Sequence, residues 1–363
     1  MRYHFLLLIL FTGVLFGQNK RLESNDIRFY GPKFFCLEGT AFPDSLKQNR
    51  YHRLPAYAQK LVREPVWELS KSSAGLSIRF KTNSKIIKAK WEVVNDLKMD
   101  HMPETGIKGI DLYYKNGKGW QYVNTGRPTG KSNQQTLIEN MTTAEREYLI
   151  FLPLYDELKL LEIGVDAESS IVAPDKNTQR PIVFYGTSIT QGGCASRPGM
   201  VHTNIMSRKL DREVLNFGFS GNGTMDKSIA ELISMIDAEI YIIECMPNML
   251  ISENVLERTI PLVDIMREKQ PTTPIVFVGL FPTAYSFLNA ELFDESKKLD
   301  NALKTEFQKM IDRGYDNLFY LDGSSALGDD YEGTVDGLHF TDLGFLRYAN
   351  FLLAELKDNK LLD

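Results

Sequence analysis

The sequence predicts an α/β chain in two parts: a β-sandwich over residues 25–166, then a parallel sheet covered on both faces by helices over residues 180–360. Three observations predict it. Residues 27–165 carry short runs with period-two alternation, each able to bury one face and wet the other. From Pro181 the period changes, and five apolar strand-like runs alternate with helical patterns, the order that builds a parallel sheet between helices. A chain of 363 residues also exceeds what one hydrophobic core usually organises.

The chain begins Met1-Arg2-Tyr3-His4, followed by an apolar run from Phe5 to Phe16. A basic start, a short apolar core and the switch to Gln18-Asn19-Lys20-Arg21 read as a secretory signal over residues 1–17. Cleavage is expected between Gly17 and Gln18, although Leu15 is larger than the residue usually found there. The run is too short to span a bilayer, and no later stretch is long and apolar enough to do so. No cysteine follows closely enough to carry a lipid anchor. The expectation is export, to the periplasm or the medium.

Sandwich strands are expected at 76–80, 88–93, 109–114, 148–152 and 161–165, with Leu161, Ile163 and Val165 sharing the inner face. Turns at Asn83-Ser84, Asn116-Gly117-Lys118-Gly119 and Arg127-Pro128-Thr129-Gly130 separate them. Such a module either binds sugar or buttresses its neighbour. The polar stretch from Asp166 to Arg180, with Pro174, reads as a surface connection. Beyond it, strands starting at Pro181, Val214, Glu239, Pro274 and Leu318 alternate with helices over 200–211, after Asp226, from Ser252 through Pro261, over 295–313 and over 341–356.

The composition, 43% hydrophobic and 25% charged, is that of an ordinary folded protein. A net charge of −5 argues against nucleic acid or an anionic membrane as partner, since both want clustered Lys and Arg. A neutral or weakly charged substrate fits better. Cys36, Cys194 and Cys245 are the only cysteines, so at least one thiol is unpaired within the chain. Their spacing gives no zinc pattern, and a Cys194–Cys245 bridge stays open. Without a metal-ligand motif, a dinucleotide fingerprint or a phosphate-loop lysine, no cofactor and no metal are expected.

The chemistry is expected where the first strand of the second part ends, at Tyr185-Gly186-Thr187-Ser188. The carboxyl end of a parallel strand is where open α/β sheets place ligands. A serine there needs a base, usually a histidine oriented by a carboxylate. His52 and His101 belong to the β-rich part, and His202 lies on a helix as a surface or packing residue. His339, in Asp336-Gly337-Leu338-His339, follows the fifth strand and emerges on the same sheet edge as Ser188. Asp336 can face the same pocket across a non-helical turn. Gly221, in Phe219-Ser220-Gly221-Asn222-Gly223, and Asn248, in Cys245-Met246-Pro247-Asn248-Met249, follow the second and third strands. With the N–H of Ser188 they could supply oxyanion donors, or form ordinary strand-to-helix turns.

Together these four segments resemble the SGNH or GDSL hydrolase superfamily, whose blocks contribute Ser, Gly, Asn and a D-x-x-H pair in this order. The resemblance covers the whole second part and implies a flavodoxin-like three-layer α/β/α domain. It implies Ser188 as nucleophile, Gly221 and Asn248 as oxyanion donors, His339 as base and Asp336 as its orienter. Thr187 stands where the G-D-S block has Asp, and Met249 follows Asn248 where the usual block has Asp. Gly109-Ile110-Asp111-Leu112-Tyr113 resembles the G-x-D-L-Y signature of an N-terminal β domain found on one group of these hydrolases. Residues 191–199, from Gln191 to Gly199, look like that group's extension of the serine block. Thr187 and Arg197 are candidates for the substrate mouth, Arg197 equally for a structural ion pair.

The implied function is an exported serine esterase acting on small, chiefly acetyl, esters of polysaccharides or oligosaccharides. The implied partner is an acylated carbohydrate or another small ester. A lipid or thioester acylhydrolase is the enzymatic alternative. A carbohydrate-binding protein with a decayed hydrolase domain is the alternative from another class.

Overall fold

A computed structural model describes residues 26–362 of the chain. The expected signal over residues 1–17 lies outside the described residues.

The N-terminal region carries β1 (Ile27–Tyr30), β2 (Cys36–Glu38), α1 (Glu64–Ser70), β3 (Ser77–Thr82), β4 (Ile87–Val93) and α2 (Glu104–Lys108). It continues with β5 (Ile110–Asn116), β6 (Gly119–Gly126), β7 (Ser132–Ile138), β8 (Arg146–Phe151), β9 (Leu158–Asp166) and β10 (Ile171–Val172). One antiparallel sheet has the order β1-β9-β4-β7, the other β10-β3-β8-β5-β6 with β2 also on β3. Their inner faces share one core. Ala89, Trp91, Leu161, Ile163 and Val165 from the first sheet meet Ile78, Phe80, Leu112 and Ile150 from the second.

Every expected strand is present; in β4 the sequence alternation is also the alternation of burial, whereas β5 and β8 bury consecutive residues, Ile110 to Tyr113 and Tyr148 to Phe151. The strands that alternation did not announce are peripheral. β7, Ser-Asn-Gln-Gln-Thr-Leu-Ile, and β6 form the free edges of their sheets, where few side chains reach a core. The polar connection after β9 contributes β10, which pairs Ile171 and Val172 with Thr82 and Lys81.

The C-terminal region is β11 (Ile182–Gly186), α3 (Ser188–Gln191), α4 (His202–Leu210), β12 (Val214–Gly218), α5 (Lys227–Ile233) and β13 (Ile240–Glu244). Then follow α6 (Ser252–Lys269), β14 (Ile275–Val278), α7 (Ala290–Asp312), β15 (Leu318–Leu321) and α8 (Asp342–Asp358). All strand pairs are parallel, in the order β12-β11-β13-β14-β15. Every residue of β11, β12 and β13 is buried, as expected for strands covered on both faces. α7 starts at Ala290, ahead of the expected Glu295, because the Asn289 side chain accepts the N–H of Leu292 and caps an earlier turn.

This strand order fixes where a ligand goes. The order in which successive strands are added reverses at β11, with β12 on one side and β13 on the other, and ligands of such sheets bind at the carboxyl ends beside that switch point. Ser188 follows β11 directly.

The two regions are closely joined. Phe42 and Leu54 from the stretch between β2 and α1, and Val66 and Trp67 from α1, pack into the core on one face of the parallel sheet, with Val183, Leu215 and Phe217. Arg53, 2% exposed, donates to the carbonyls of Leu69 and Ser72 on its own side and of Asn216 and Gly218 at the end of β12. Asp111 and Tyr113 of β5 hold Arg197, the carboxylate at 2.7 Å and the phenol oxygen at 2.6 Å, and Asp111 also accepts the N–H of Gly199 at 2.8 Å. The two sequence signatures therefore touch. Among the described residues no helix is long and apolar enough to cross a membrane.

Candidate active site

Ser188 opens α3, with Thr187 as its cap: the Thr187 Oγ1 accepts the N–H of Ile189. Ser188 is 6% exposed, reachable only at the sheet edge. Thr187 itself is fully buried. Its N–H and hydroxyl donate to Glu244 at 3.3 and 3.1 Å, and the Thr190 hydroxyl donates to the same carboxylate at 2.6 Å. The expectation that Thr187 lines the substrate mouth is corrected by this burial: a threonine in place of Asp supplies a hydroxyl that ties the turn of Ser188 to the carboxylate ending β13. Burial pushes Glu244 up to about 7, against the hydrogen bonds from Thr190 and Thr187 that favour its charge.

His339 arrives on the loop between β15 and α8. Thr334 bridges to Phe340, the Val335 N–H donates to the His339 carbonyl at 2.7 Å, and fully buried Phe340 anchors the loop. Gly337 takes a left-handed conformation, φ +92°, which lets the chain turn back within the Asp-Gly-Leu-His segment. Asp336 Oδ1 accepts the N–H groups of Leu338 and His339 at 3.0 and 2.8 Å. Its Oδ2 lies 2.7 Å from His339 Nδ1, and His339 Nε2 lies 3.0 Å from Ser188 Oγ. Partial burial works against the Asp336 charge, but the bonds from the His339 ring and from these two backbone groups prevail and hold its carboxyl at about 2. It is thus ionised throughout the neutral range, and it favours the tautomer with the proton on Nδ1 and a lone pair aimed at the serine.

The turn after β12 lies beside this relay. The Phe219 N–H donates to the Gly186 carbonyl at 2.9 Å, and a Cβ on Gly223 would stand 2.0 Å from that same oxygen. Only glycine permits this approach. Asn248 Oδ1 accepts the Gly223 N–H at 3.2 Å, which fixes the amide's orientation and leaves Nδ2 available. Gly221, exposed and at φ +67°, has open space around it. Gln191 reaches from α3 to accept the Ser220 N–H at 2.9 Å. An adjoining cavity of about 650 Å³ is lined by Ser220 and Asn222 and, from the N-terminal region, by Ser72, Leu97, Met99 and Tyr155.

Other candidates fall elsewhere. The Arg197 guanidinium bonds to Asp111, Tyr113 and Met200 and lies 4.0 Å from the Tyr122 ring centroid, so of its two expected roles the structure supports the ion pair. Asp111 is fully buried. His52 is buried against Glu157 at 2.8 Å. His202 is fully buried among Phe184, Phe345 and Tyr348. All three cysteines are free, which closes the question of a Cys194–Cys245 bridge. Sequence reasoning missed Glu244 and set His101 aside with the β-rich part. A carboxylate closing the otherwise apolar run Ile240-Tyr241-Ile242-Ile243 was the available signal for the first. His101 had none, because only the fold brings its ring to 5.7 Å from that of His339.

A parallel sheet of this order with a Ser–His–Asp relay at its switch point defines an SGNH-type hydrolase. The chain belongs to the GDSL-like lipase/acylhydrolase family, whose model matches residues 179–357. Residues 27–171 match the model for the N-terminus of SGNH-hydrolase-type esterases. A structure from Bacteroides ovatus ATCC 8483, described as a GDSL-like lipase, is 35% identical with a TM-score of 0.87, covering 92% of this chain and 98% of its own. The salicylyl-acyltransferase SsfX3 of a tetracycline biosynthetic pathway shares the fold at 16% identity, TM-score 0.76, over 93% of this chain and 98% of its own. A family two carbohydrate esterase from Cellvibrio japonicus does so at 13% identity, TM-score 0.61, over 93% and 99%. Among curated proteins none matches the chain.

Proposed function

We propose that the chain is an exported serine esterase that removes small acyl groups, acetyl foremost, from carbohydrate. In this reading residues 1–17 are the export signal, 25–166 the β domain and 180–360 the hydrolase domain. The observation that carries it is the unbroken relay of 2.7 and 3.0 Å from Asp336 through His339 to Ser188. His339 takes the serine proton as Ser188 attacks the ester carbonyl, then returns it to the leaving alcohol. The N–H groups of Ser188 and Gly221 and the Asn248 amide receive the oxyanion, each worth roughly 3 kcal/mol of barrier when preorganised. Water then attacks the acyl-enzyme with the same base. The carbohydrate esterase neighbour, the cavity beside Ser220 and the acidic, unclustered charge of the chain support a neutral sugar ester as substrate.

The test is hydrolysis of nitrophenyl esters from acetate to palmitate, followed by acetate release from a panel of acetylated glycans. Ser188→Ala should lower kcat by about four orders of magnitude or more, and acetate should be the preferred chain. Unchanged hydrolysis by Ser188→Ala would overturn the mechanism. A palmitate optimum would point to a lipid acylhydrolase, and glycan binding without acid release to a binding protein.

A further inference from the structure

The fold collects a donor set that no spacing in the sequence announces. His101, from the loop between β4 and α2, Cys194, from the turn after α3, and His339 hold their ligand atoms within 4.8 Å of one another. Each histidine has a carboxylate at Nδ1. His339 Nδ1 is 2.7 Å from Asp336 Oδ2, and His101 Nδ1 is 3.0 Å from Asp100 Oδ1. A carboxylate on Nδ1 draws the ring proton there and leaves Nε2 as a lone-pair donor, which is how imidazoles that ligate transition metals are usually supported. Cys194 adds a free sulfur held at φ +73°. The carboxylates of Asp100 and Asp336 place two negative charges behind the set.

We propose that His101, Cys194 and His339 bind a divalent transition metal of the zinc class, and that its occupation withdraws His339 from Ser188 and arrests hydrolysis. Two imidazoles and a thiolate favour zinc over magnesium or calcium, which prefer oxygen donors. Tetrahedral bonds to zinc hold their ligands roughly 3.5 Å apart, so the set closes by rotation of the His101 ring, which is 39% exposed. On coordination the Cys194 proton passes to solvent, His339 Nε2 exchanges the serine hydroxyl for the metal, and water can fill the fourth position. The arrest rests on His339 being the base. The binding does not.

The experiment uses the full folded chain. Zinc should inhibit the wild-type esterase and a chelator should restore it. His101→Ala and Cys194→Ser, each active without metal, should need about tenfold more zinc for half-inhibition. Cobalt added to Ser188→Ala should give a thiolate-to-cobalt absorption band that is lost when Cys194→Ser is added to that variant. Equal zinc sensitivity in wild type and both variants, or no cobalt band, would overturn the site. The cobalt band is read in a protein without the serine, so it decides the metal site even if Ser188→Ala proves the esterase mechanism wrong.

Discussion

Replacing Asp336 with Asn should silence the relay by trapping His339 in the wrong tautomer. Asp336 Oδ1 accepts two backbone N–H groups, while Oδ2 alone faces His339 Nδ1. An amide placed there keeps its carbonyl oxygen on the two N–H donors and so turns its NH2 toward Nδ1. Nδ1 must then accept, the ring proton moves to Nε2, and the histidine cannot take a proton from Ser188. Flipping the amide to recover the productive tautomer breaks two backbone hydrogen bonds and sets two N–H groups against an NH2, at a cost of about 3 kcal/mol. Loss of the carboxylate also removes a charge-assisted bond to the imidazolium, worth roughly another 2 kcal/mol. The sum corresponds to somewhat more than three decades in rate. Because the Asp336 side chain is 40% exposed, water softens the second contribution, and a drop in kcat of roughly a thousandfold is expected. The assay is steady-state hydrolysis of nitrophenyl acetate, with circular dichroism to confirm the fold. An Asn variant whose kcat stays within about tenfold of wild type would refute the tautomer argument and, with it, the place of Asp336 in the relay.

Asn248→Ala should lower kcat about a hundredfold to a thousandfold with KM little changed, because the amide is proposed to act on the oxyanion rather than on the bound ester; steady-state kinetics separates the two. Glu244 binds its proton more tightly folded than unfolded, so its contribution is fully present below its ordinary 4.5 and is lost as pH rises through about 7. Urea denaturation should therefore show Glu244→Gln gaining up to about 3 kcal/mol on wild type across that window, and parallel stability curves would exclude it. His202 has the opposite sign. Burial lowers it from 6.5 to about 3, so stability is lost as pH falls below 6.5, at about 1.4 kcal/mol per pH unit, and His202→Phe should flatten that limb of the denaturation profile.

The sequence made the parallel sheet legible because its strands are buried on both faces and read as unbroken apolar runs, such as Ile182-Val183-Phe184-Tyr185. The relay was legible for a related reason. Ser188, Asp336 and His339 lie on loops that follow ends of those strands, as do Gly221 and Asn248, the residues proposed to receive the oxyanion, so finding the strands located the loops. What stayed hidden depends on contacts between distant segments. β7 buries only Asn133 and Leu137 and carries no apolar alternation. Glu244 sits in an apolar run where a single carboxylate gives no sign that Thr187 and Thr190 will face it. His101 belongs to a polar loop, and nothing local distinguishes it from any surface histidine.

Arg53 shows why the two regions cannot be treated as independent parts. Its guanidinium is buried among backbone carbonyls and the Ser72 hydroxyl, and no carboxylate partner is found among the described residues. A buried cation is costly unless its donors are satisfied, and here two of the five hydrogen bonds go to the Asn216 and Gly218 carbonyls on the strand leading into the Gly221 turn. Burial brings the guanidinium down to about 9. The same network continues to the helix that Ser188 opens: Ser72 accepts from Arg53 and from Gln191, and Gln191 in turn accepts the Ser220 N–H. The N-terminal region therefore bears directly on the loop proposed to receive the oxyanion, while its Asp111 fixes the segment that follows Ser188. Buttressing, rather than sugar binding, is the role these contacts support for the β-sandwich.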